Sequence, residues 1–580
     1  MSFNRTFSVL VLLFSAVVSH FAQTADESAK LKKERRDVLI EQILADAPNL
    51  KLGENRALVY AQVGNMVWQS DEKRARTLFQ NAAAELINAQ MLAEADKKTS
   101  GYQHDLLMGQ TTRPQILRVI AGRDAKLALE YLYKTRPAAV SKAFSMATGK
   151  SAKISNNAGN YDYLAQNETN LEQNFIRLAA DQSPERAAKL LKETLKKGFS
   201  GETLNLLKKL REKDAATADE ITAEIVGKLI GTKFDTQNSS NYQNFNIATM
   251  FLTEFIRQKS DGEKALKFDD GQMRGLAEKL IAAALQSNDR NGYFNHYSLI
   301  PVAEKLAPSS VERLKQLQKN LVRRGMHIEY DSEMGKLLNG ETTAEQMLVA
   351  AKNFPVNRRG QIYQTAANKL AQAGDINRAT QILNNNFDDD ALEDALRNLN
   401  WQYSYNLINN GKFAEAEQLI DNFPENTRLG ALVNLANAIY QKNPQENKSY
   451  AVAVLGKARS LITERPEDSQ EMSNLMQIIS AYVAVEPNES FRLFEPLIPQ
   501  MNELSDAAVI INGFQRNSNI RNGEFLLTNG NSWGFHGADF SIFTRLAAND
   551  FERALNLVDG FTRREIRVTL KMQLAGSISQ

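Results

Sequence analysis

The sequence contains no cysteine among its 580 residues, and this absence excludes three kinds of chemistry. No disulfide can form, no thiolate can bind a metal ion, and no cysteine can act as a nucleophile. A lipid-modified cysteine is excluded as well. A chain of this length without disulfides must depend on buried apolar surface for its stability, and a long helical array can supply that surface.

An excess of one charge is also missing, because 70 basic residues face 68 acidic ones. Proteins that bind nucleic acid usually concentrate basic residues on one surface. The densest basic run, at 30–36, is short and mixed, which is typical of a solvated helix face or of a spacer after a signal peptide. We therefore expect no nucleic-acid partner.

Histidine is scarce, and its five copies are dispersed at positions 20, 104, 296, 327 and 536 without metal-binding spacing. Nucleophile-elbow, phosphate-loop and dinucleotide-binding motifs are missing too. The acidic run 388–390 lacks calcium-loop spacing, and its place at the start of a helix predicts a favourable interaction with the helix dipole. We expect no catalytic residue, no metal and no cofactor.

Long apolar runs are limited to the first residues of the chain. Arg5 is followed by an uncharged apolar run at 6–21 and by small residues at 22, 24 and 25. This layout is typical of a secretory signal peptide, and the run is short for a membrane span, which needs about 20 residues. The alternative is an uncleaved N-terminal anchor. We predict cleavage within 22–25 and an exported protein, bacterial periplasmic or secreted, without a membrane span after signal removal.

The segment Asn-Phe-Pro-Val-Asn-Arg-Arg at 353–359 returns as Asn-Phe-Pro-Glu-Asn-Thr-Arg at 422–428. Weaker copies begin at 386 and 560. We call the Asn-Phe-Pro segment and its weaker copies the joint. Each copy except the first follows a second recurring segment, in which an alanine lies seven or eight residues before the phenylalanine of the joint. These alanines are Ala379, Ala416 and Ala554.

This pattern predicts stacked helical hairpins. Alanine permits close approach between helices, and a preceding glycine or asparagine ends a helix in a left-handed cap. The proline of the joint blocks helical geometry in the residue before it, so the second helix stops there. A single hairpin cannot bury both of its faces, so copies must stack.

The residues Gly-Lys-Phe-Ala-Glu-Ala at 411–416 resemble the core of tetratricopeptide-type repeats, and 374–379 is a looser match. The first helices lack the Trp-x-x-Leu-Gly-x-x-Tyr pattern of that family, and the closing proline comes about one turn early. The chain is therefore similar to a degenerate tetratricopeptide-like solenoid. This resemblance implies a scaffold that binds proteins or peptides.

We predict an all-α fold, a superhelical array of antiparallel hairpins with about 20 to 28 helices. Residues 1–24 form the signal peptide, 25–345 an irregular repeat region, and 346–580 a tetratricopeptide-like region with an insertion at 515–543. Long Asn-rich loops are expected at 156–163, 238–246 and 288–297. A small hairpin is expected near 523–535, turning at 528–531.

A row of polar and aromatic residues on the first helices is the candidate site. In such solenoids, neighbouring first helices line the concave surface. Asn368, Trp401 and Asn437 each lie the same number of residues after the phenylalanine of their copy. Tyr405 is the equivalent residue when the copies are aligned on the glycine before the second helix, and Asn434 lies one turn before Asn437. We predict that these five residues hold an extended peptide or glycan through side-chain amides. The alternative is that the asparagines bond to neighbouring backbone and that the aromatics are core residues.

Two further sets of residues have expected roles. Trp533 and Phe535 are candidate loop contacts, because long loops on a rigid scaffold can form a binding rim. The alternative is that these loops are variable connections made of turn-forming residues. Arg359 and Arg428 are expected on the opposite side from the asparagines, capping or bridging helices. The pair Glu489-Ser490 resembles the catalytic dipeptide of lytic transglycosylases, but its companion motif at 475–477 stands in reversed order, so we interpret it as coincidence.

The sequence thus predicts an exported, non-catalytic scaffold that binds a protein or peptide partner. One alternative is a periplasmic enzyme or binding protein that acts on polysaccharide or peptidoglycan. A glycosidase would need two carboxylates in one cleft, and no such pair is evident. The other alternative is a structural spacer.

Overall fold

The computed structural model describes residues 30–95, 112–148, 158–181, 183–232, 234, 239–257, 265–286, 299–323, 332–339, 341–515, 519–527 and 540–578. These residues contain 28 α-helices and two strands of two residues each, so the prediction of an all-α helical array is confirmed. The chain divides into two compact units. The N-terminal unit comprises residues up to 327 together with 512–529, and the C-terminal unit comprises 328–511 and 530–578.

The N-terminal unit begins with helix α1 at 30–46 and a 3-10 turn at Ala47–Asn49. Its further helices are α2 Gly53–Val67, α3 Glu72–Ala95, α4 Arg113–Ala121, α5 Ala125–Lys134, α6 Ala138–Thr148, α7 Ala158–Ala179, α8 Pro184–Thr194, α9 Thr203–Arg211, α10 Ala215–Gly231, α11 Ser239–Arg257, α12 Asp270–Gln286, α13 at 299–306 and α14 Val311–Arg323. Helix α2 packs on α3, and α4 on α5. Helices of successive pairs then stack, α2 on α4 and α5 on α7, which makes this part of the chain a helical array.

The C-terminal unit repeats the same plan with greater regularity. Its helices are α15 Ser332–Asn339, α16 Ala344–Ala351, α17 Val356–Gln372, α18 Ile376–Asn386, α19 Asp389–Asn409, α20 Phe413–Ile420, α21 Glu425–Lys442, α22 Pro444–Arg459, α23 Ser469–Val485, α24 Pro487–Phe494, α25 Leu497–Gln515, α26 Ile542–Asn549, α27 Phe551–Asp559 and α28 Arg564–Ile578. The first helices of successive pairs contact one another, α17 with α19, α19 with α21, and α21 with α23.

The joints between pairs hold the repeated core. Phe354 packs against a cluster that contains Ala351 of one helix and Ile362 of the next. Phe387 occupies the corresponding place against Leu383 in the following cluster, and the buried Phe423 marks the next joint. The three phenylalanines therefore occupy equivalent positions at the end of a second helix, as the repeat predicts.

The small residues of the repeat also behave as predicted. Ala379, Ala416 and Ala554 are fully buried, which lets the helices approach closely. Gly374 and Gly411 have φ angles of +93° and +71°, so each ends a first helix in the left-handed region. The second helix of each pair starts immediately afterwards.

The arginines of the joint cap it, which confirms their expected role. Arg359 Nε donates to the carbonyl oxygen of Phe354 at 2.9 Å, and Arg428 Nε donates to that of Phe423 at 3.1 Å. Arg567 Nη1 donates in the same way to the carbonyl oxygen of Phe561 at 2.5 Å, and also to that of Thr562 at 3.0 Å. A cationic donor thus satisfies a carbonyl that the end of the second helix leaves free.

A short antiparallel hairpin belongs to the N-terminal unit. Strands β1 Ile520–Arg521 and β2 Glu524–Phe525 pair Ile520 with Phe525 and Arg521 with Glu524. The turn residues Asn522 and Gly523 have φ angles of +53° and +71°, which is the geometry of a tight type I′ hairpin. The hairpin was predicted near 523–535, and its expected turn at 528–531 lies outside the described residues.

Two of the expected loops are helical instead. Residues 158–163 of the first open helix α7, and residues 239–246 of the second open helix α11. Burial of Leu164 and Phe245 against neighbouring helices outweighs the low helix propensity of the asparagines nearby. The third expected loop, 288–297, lies outside the described residues. Within the described part of the chain, no helix combines the length and apolar character needed to cross a bilayer.

Candidate functional site

The candidate site lies in the C-terminal unit, on three first helices that pack in series. Helix α17 carries Asn368, α19 carries Trp401 and Tyr405, and α21 carries Asn434 and Asn437. Tyr405 is 54% exposed, Asn434 is exposed, and the other three side chains are half-buried. Each predicted residue is therefore at least partly open to solvent.

Asn368 belongs to a cluster of amide side chains between α17 and α19. Its Nδ2 donates to Asn398 Oδ1 at 3.3 Å. Gln364 Nε2 lies 3.2 Å from Asn368 Oδ1 and 3.4 Å from Asn398 Oδ1, and it also donates to the carbonyl of Ala395 at 3.3 Å. Gln364 and Asn398 were not among the predicted residues, because their pairing depends on the register between the two helices.

Trp401 packs where α19 meets the joint before α21. Its ring lies 6.4 Å from that of Phe423, with the two planes inclined by 33°. A side chain at Gly430 would approach the Trp401 ring to 3.9 Å, so the indole also lies close to α21. The indole N–H donates to no residue of the described chain, which leaves it available to a ligand oxygen.

Beside Trp401 is an open cavity of about 510 Å³. One wall comes from the first half of α19, and the other from the joint and the first turn of α21. Trp401, Phe423 and Pro424 give it apolar surface, while amides and charged groups form the remainder. Its lining residues are Glu393, Asp394, Leu396, Arg397, Asn398, Asn400, Trp401, Asn422, Phe423, Pro424 and Thr427.

Asn434 and Asn437 make no side-chain hydrogen bond to any residue that the structure describes. A different asparagine makes the hydrogen bonds to neighbouring backbone that the alternative interpretation assigns to these residues. Asn406 Nδ2 donates to the carbonyls of Ala371 and Gln372, at 3.1 and 2.9 Å, and so caps the end of α17. Asn434 and Asn437 are thus free to bond to a ligand.

An ion-pair cluster forms the acidic edge of the cavity. Arg397 Nη2 lies 2.7 Å from Asp394 Oδ1 and 3.5 Å from Glu393 Oε1. Both acidic side chains are 75% exposed. A single guanidinium therefore faces two solvated carboxylates, so the edge keeps a net negative charge.

The structure shows which side chains surround the transglycosylase-like pair at 489–490. Glu489 lies 2.9 Å from Arg492 and also pairs with Arg459, and the hydrogen bond from Arg492 lowers the pKa of the Glu489 carboxyl. A general acid needs a raised pKa, so this environment is unsuited to that role. The neighbouring Ser490 is fully buried and donates to the carbonyl of Ile479 at 2.9 Å.

Other candidates from the sequence are only partly covered by the structure. Trp533, Phe535 and all five histidines lie outside the described residues. Among the residues that are described, no group of three or more acidic or histidine side chains is arranged to hold a metal ion. Asp388, Asp389 and Asp390 lie at the start of α19, where negative charge interacts favourably with the helix dipole.

Comparisons with known proteins add little. No protein-family model and no curated protein matches the chain. A solved structure described as a circular tandem repeat protein with novel repeat topology and enhanced subunit contact surfaces aligns over 90% of this chain and 98% of its own. The identity is 13% and the TM-score 0.23, which is too low to show a shared fold. The assignment to helical repeats therefore rests on the packing described above.

Proposed function

We propose that this chain is an exported, non-catalytic scaffold of tetratricopeptide-like construction that holds an extended peptide segment of a partner protein. The observation that carries the proposal is the cavity beside Trp401, whose lining includes the amide side chains of Asn398, Asn400 and Asn422. The predicted signal peptide and the absence of cysteine support export to a bacterial periplasm or the external medium.

Amide side chains suit the backbone of an extended peptide. Each asparagine offers two donor hydrogens and an acceptor oxygen, which matches the alternating N–H and C=O groups of a peptide chain. Asn434 and Asn437 have these groups free of described partners, and they lie one turn apart on the same face of α21. Two successive peptide groups could therefore be held on this helix.

The cavity suits a side chain of the same peptide. Its volume of about 510 Å³ lies within the range of pockets that enclose small ligands. In an extended chain alternate side chains point to the same face, so one can enter the cavity while its neighbours remain in solvent. Trp401 would be the principal contact, since tryptophan is enriched among residues that dominate binding energy.

Selection from a random peptide library, followed by fluorescence anisotropy with one selected peptide, tests this proposal. Substituting Asn434→Ala and Asn437→Ala together should weaken binding at least tenfold, which corresponds to about 1.4 kcal/mol. The matched control is Asn384→Ala with Asn385→Ala, two exposed asparagines on the second helix α18, which should leave affinity unchanged.

Two further results bear on the proposal. Trp401→Ala should remove most of the affinity, and Tyr405→Ala, an exposed residue whose loss leaves the core intact, should weaken it several-fold. Equal peptide affinity of the two double-asparagine variants would contradict the proposal. A library that yields no binder, together with measurable binding of a glycan oligomer, would favour the polysaccharide alternative instead.

A further inference from the structure

The charge around the cavity differs sharply from that of the whole chain. Overall, 70 basic residues nearly balance 68 acidic ones. Residues 388–428, which include every cavity-lining residue, carry nine acidic side chains and three basic ones. The cavity therefore lies in a locally anionic part of a nearly neutral protein.

Several of these carboxylates have no cationic neighbour. Asp388, Asp389, Asp390 and Glu425 are exposed and form no ion pair with any residue that the structure describes. Asp390 precedes Glu393 and Asp394 by three and four positions on α19, so the three share one helix face. Trp401 stands two to three turns further along this helix.

The three basic side chains of this stretch are already engaged. Arg397 pairs with Asp394 and Glu393, and Lys412 lies 3.4 Å from Glu415. Arg428 donates to the carbonyl of Phe423. Lys457, outside this stretch, pairs with Glu417 and Asp421. The unpaired negative charge is therefore that of Asp388, Asp389, Asp390 and Glu425, and it faces solvent.

We infer that the peptide held here is cationic, with one apolar side chain in the Trp401 cavity and lysine or arginine residues on either side of it. This inference rests on the proposed peptide-binding function and specifies its ligand. Complementary charge selects partners and accelerates association, while the buried apolar contact supplies affinity. Lysine and arginine side chains of the peptide would meet Glu393, Asp394 and the free aspartates of α19.

Arg397 acts as an internal competitor in this arrangement. Its guanidinium already occupies the two carboxylates that line the cavity, so a cationic ligand must share or displace it. Removing that guanidinium should therefore strengthen the binding of a cationic peptide. A ligand that needed a positive charge at this edge would respond in the opposite direction.

Three synthetic seven-residue peptides test the inference, each with a central leucine flanked by lysines, glutamates or serines. Fluorescence anisotropy with the full chain measures their affinities. The lysine peptide should bind at least about tenfold more tightly than the glutamate peptide, and the difference should shrink near 1 M salt, where the screening length is about 3 Å. The serine peptide should bind with intermediate affinity.

Charge variants that preserve shape give the sharper comparison. Glu393→Gln with Asp394→Asn should weaken the lysine peptide about two- to tenfold, consistent with exposed ion pairs, and should weaken the serine peptide less than the lysine peptide. The control is Glu467→Gln with Glu503→Gln, two exposed carboxylates outside residues 388–428, which should change the affinity of neither peptide. Arg397→Gln should tighten the lysine peptide about two- to fivefold.

The outcomes separate this inference from the proposed function. If the library-selected peptide depends on Trp401 but the lysine peptide has no advantage, or Arg397→Gln weakens it, the inference is overturned and the peptide-binding function stands. If no peptide of any charge binds, both fail. An advantage for the lysine peptide that survives Glu393→Gln with Asp394→Asn would also overturn the inference, because the charge effect would then arise elsewhere.

Discussion

The Asn55 side chain donates through Nδ2 to Glu524 Oε1 at 2.7 Å, although 469 positions separate the two residues. The same carboxylate accepts from the backbone N–H groups of Lys51 and Leu52, at 2.6 and 3.1 Å. Those groups stand at the start of helix α2, where N–H groups lack intrahelical partners and a negative charge is favourable. Glu524 of the hairpin thus caps a helix from the opposite end of the sequence.

Asn55 completes this contact by using its whole amide. Its Nδ2 also donates to the carbonyl of Phe525 at 2.8 Å, and its Oδ1 accepts from the N–H of Leu527 at 2.8 Å. Asn55 is fully buried and Glu524 is 4% exposed. Removing either partner would leave buried polar groups unsatisfied, which is more costly than the net value of the bonds themselves.

We predict that Glu524→Gln destabilises the docked hairpin by about 1.5–3 kcal/mol, because the neutral amide presents donors to backbone donors. The measurement is hydrogen exchange at the amides of Leu52 and Leu527, which should become faster. Glu503→Gln, at an exposed position, is the control and should shift stability by less than about 0.5 kcal/mol. Unchanged exchange at Leu52 would contradict the prediction.

The sequence predicted the repeat because each copy follows local rules. An alanine, a glycine cap and a Phe-Pro joint each act on residues a few positions away, so their spacing is visible without a structure. The contact between Asn55 and Glu524 joins residues far apart in the chain and leaves no local pattern. The turn at Asn522-Gly523 does have a local signal, but a second Asn-Gly pair at 529–530 carries the same signal, so the local pattern does not distinguish them.

The candidate site likewise combines positions that local spacing predicts with contacts that depend on packing between helices. Offsets from the joint phenylalanines were enough to indicate Asn368, Trp401 and Asn437 as equivalent positions. The pairing of Asn398 with Asn368 required the register between α17 and α19, which no single helix specifies. The cavity beside Trp401 likewise depends on how the joint at Phe423 packs against α19. Packing between elements, rather than helix formation, limited the sequence interpretation.

One glycine at a helix cap and one inside a helix give a prediction in which alanine substitution changes the free energy of unfolding in opposite directions. Gly374→Ala should cost about 1–2 kcal/mol, because its φ of +93° is unfavourable for alanine although no atom lies near the added Cβ. Gly456→Ala should stabilise by up to about 1 kcal/mol, since that glycine lies inside α22 with open space beside it. Urea unfolding of both variants measures the difference, and equal signs would contradict it.

The joint arginines give a prediction about local stability. Arg428→Gln should weaken the joint by about 1–2 kcal/mol, because the charged donor to the carbonyl of Phe423 is lost. Hydrogen exchange of peptides that cover 419–430 should become faster, whereas those from other joints should not change. Arg465→Gln, an exposed arginine without a described side-chain partner, is the control. Slower or unchanged exchange at 419–430 would count against the capping role.

A buried ion-pair cluster in the N-terminal unit gives a prediction about pH. Glu168 lies 2.8 and 3.0 Å from the two terminal nitrogens of Arg113, and 2.9 Å from Arg136 Nε. Burial by itself would raise the pKa of the Glu168 carboxyl, but the charges and hydrogen bonds of Arg113 and Arg136 outweigh it and hold the pKa below its ordinary value of 4.5. The folded protein therefore binds this proton less readily than the unfolded chain does.

The sign of the pH effect follows from that shift. A depressed pKa in the folded state adds stability that is fully present above the ordinary value of 4.5 and is lost as the pH falls through the lower, folded value. Glu168→Gln should cost roughly 3–5 kcal/mol near neutral pH, because Arg113 loses its buried carboxylate partner, while Arg136 keeps its ion pair with Glu172. The difference from the unmodified protein should shrink on the acid side of the ordinary value.

Urea unfolding from about pH 7 to about pH 3 tests this dependence. Trp68 fluorescence in a Trp401→Phe, Trp533→Phe background reports on the N-terminal unit, to which Trp68 belongs. Glu185→Gln, at an exposed carboxylate without a described ion pair, is the control and should follow the unmodified protein at every pH. A difference between Glu168→Gln and the unmodified protein that grows below the ordinary value would reverse the sign and show that burial, rather than the two arginines, sets the pKa of Glu168.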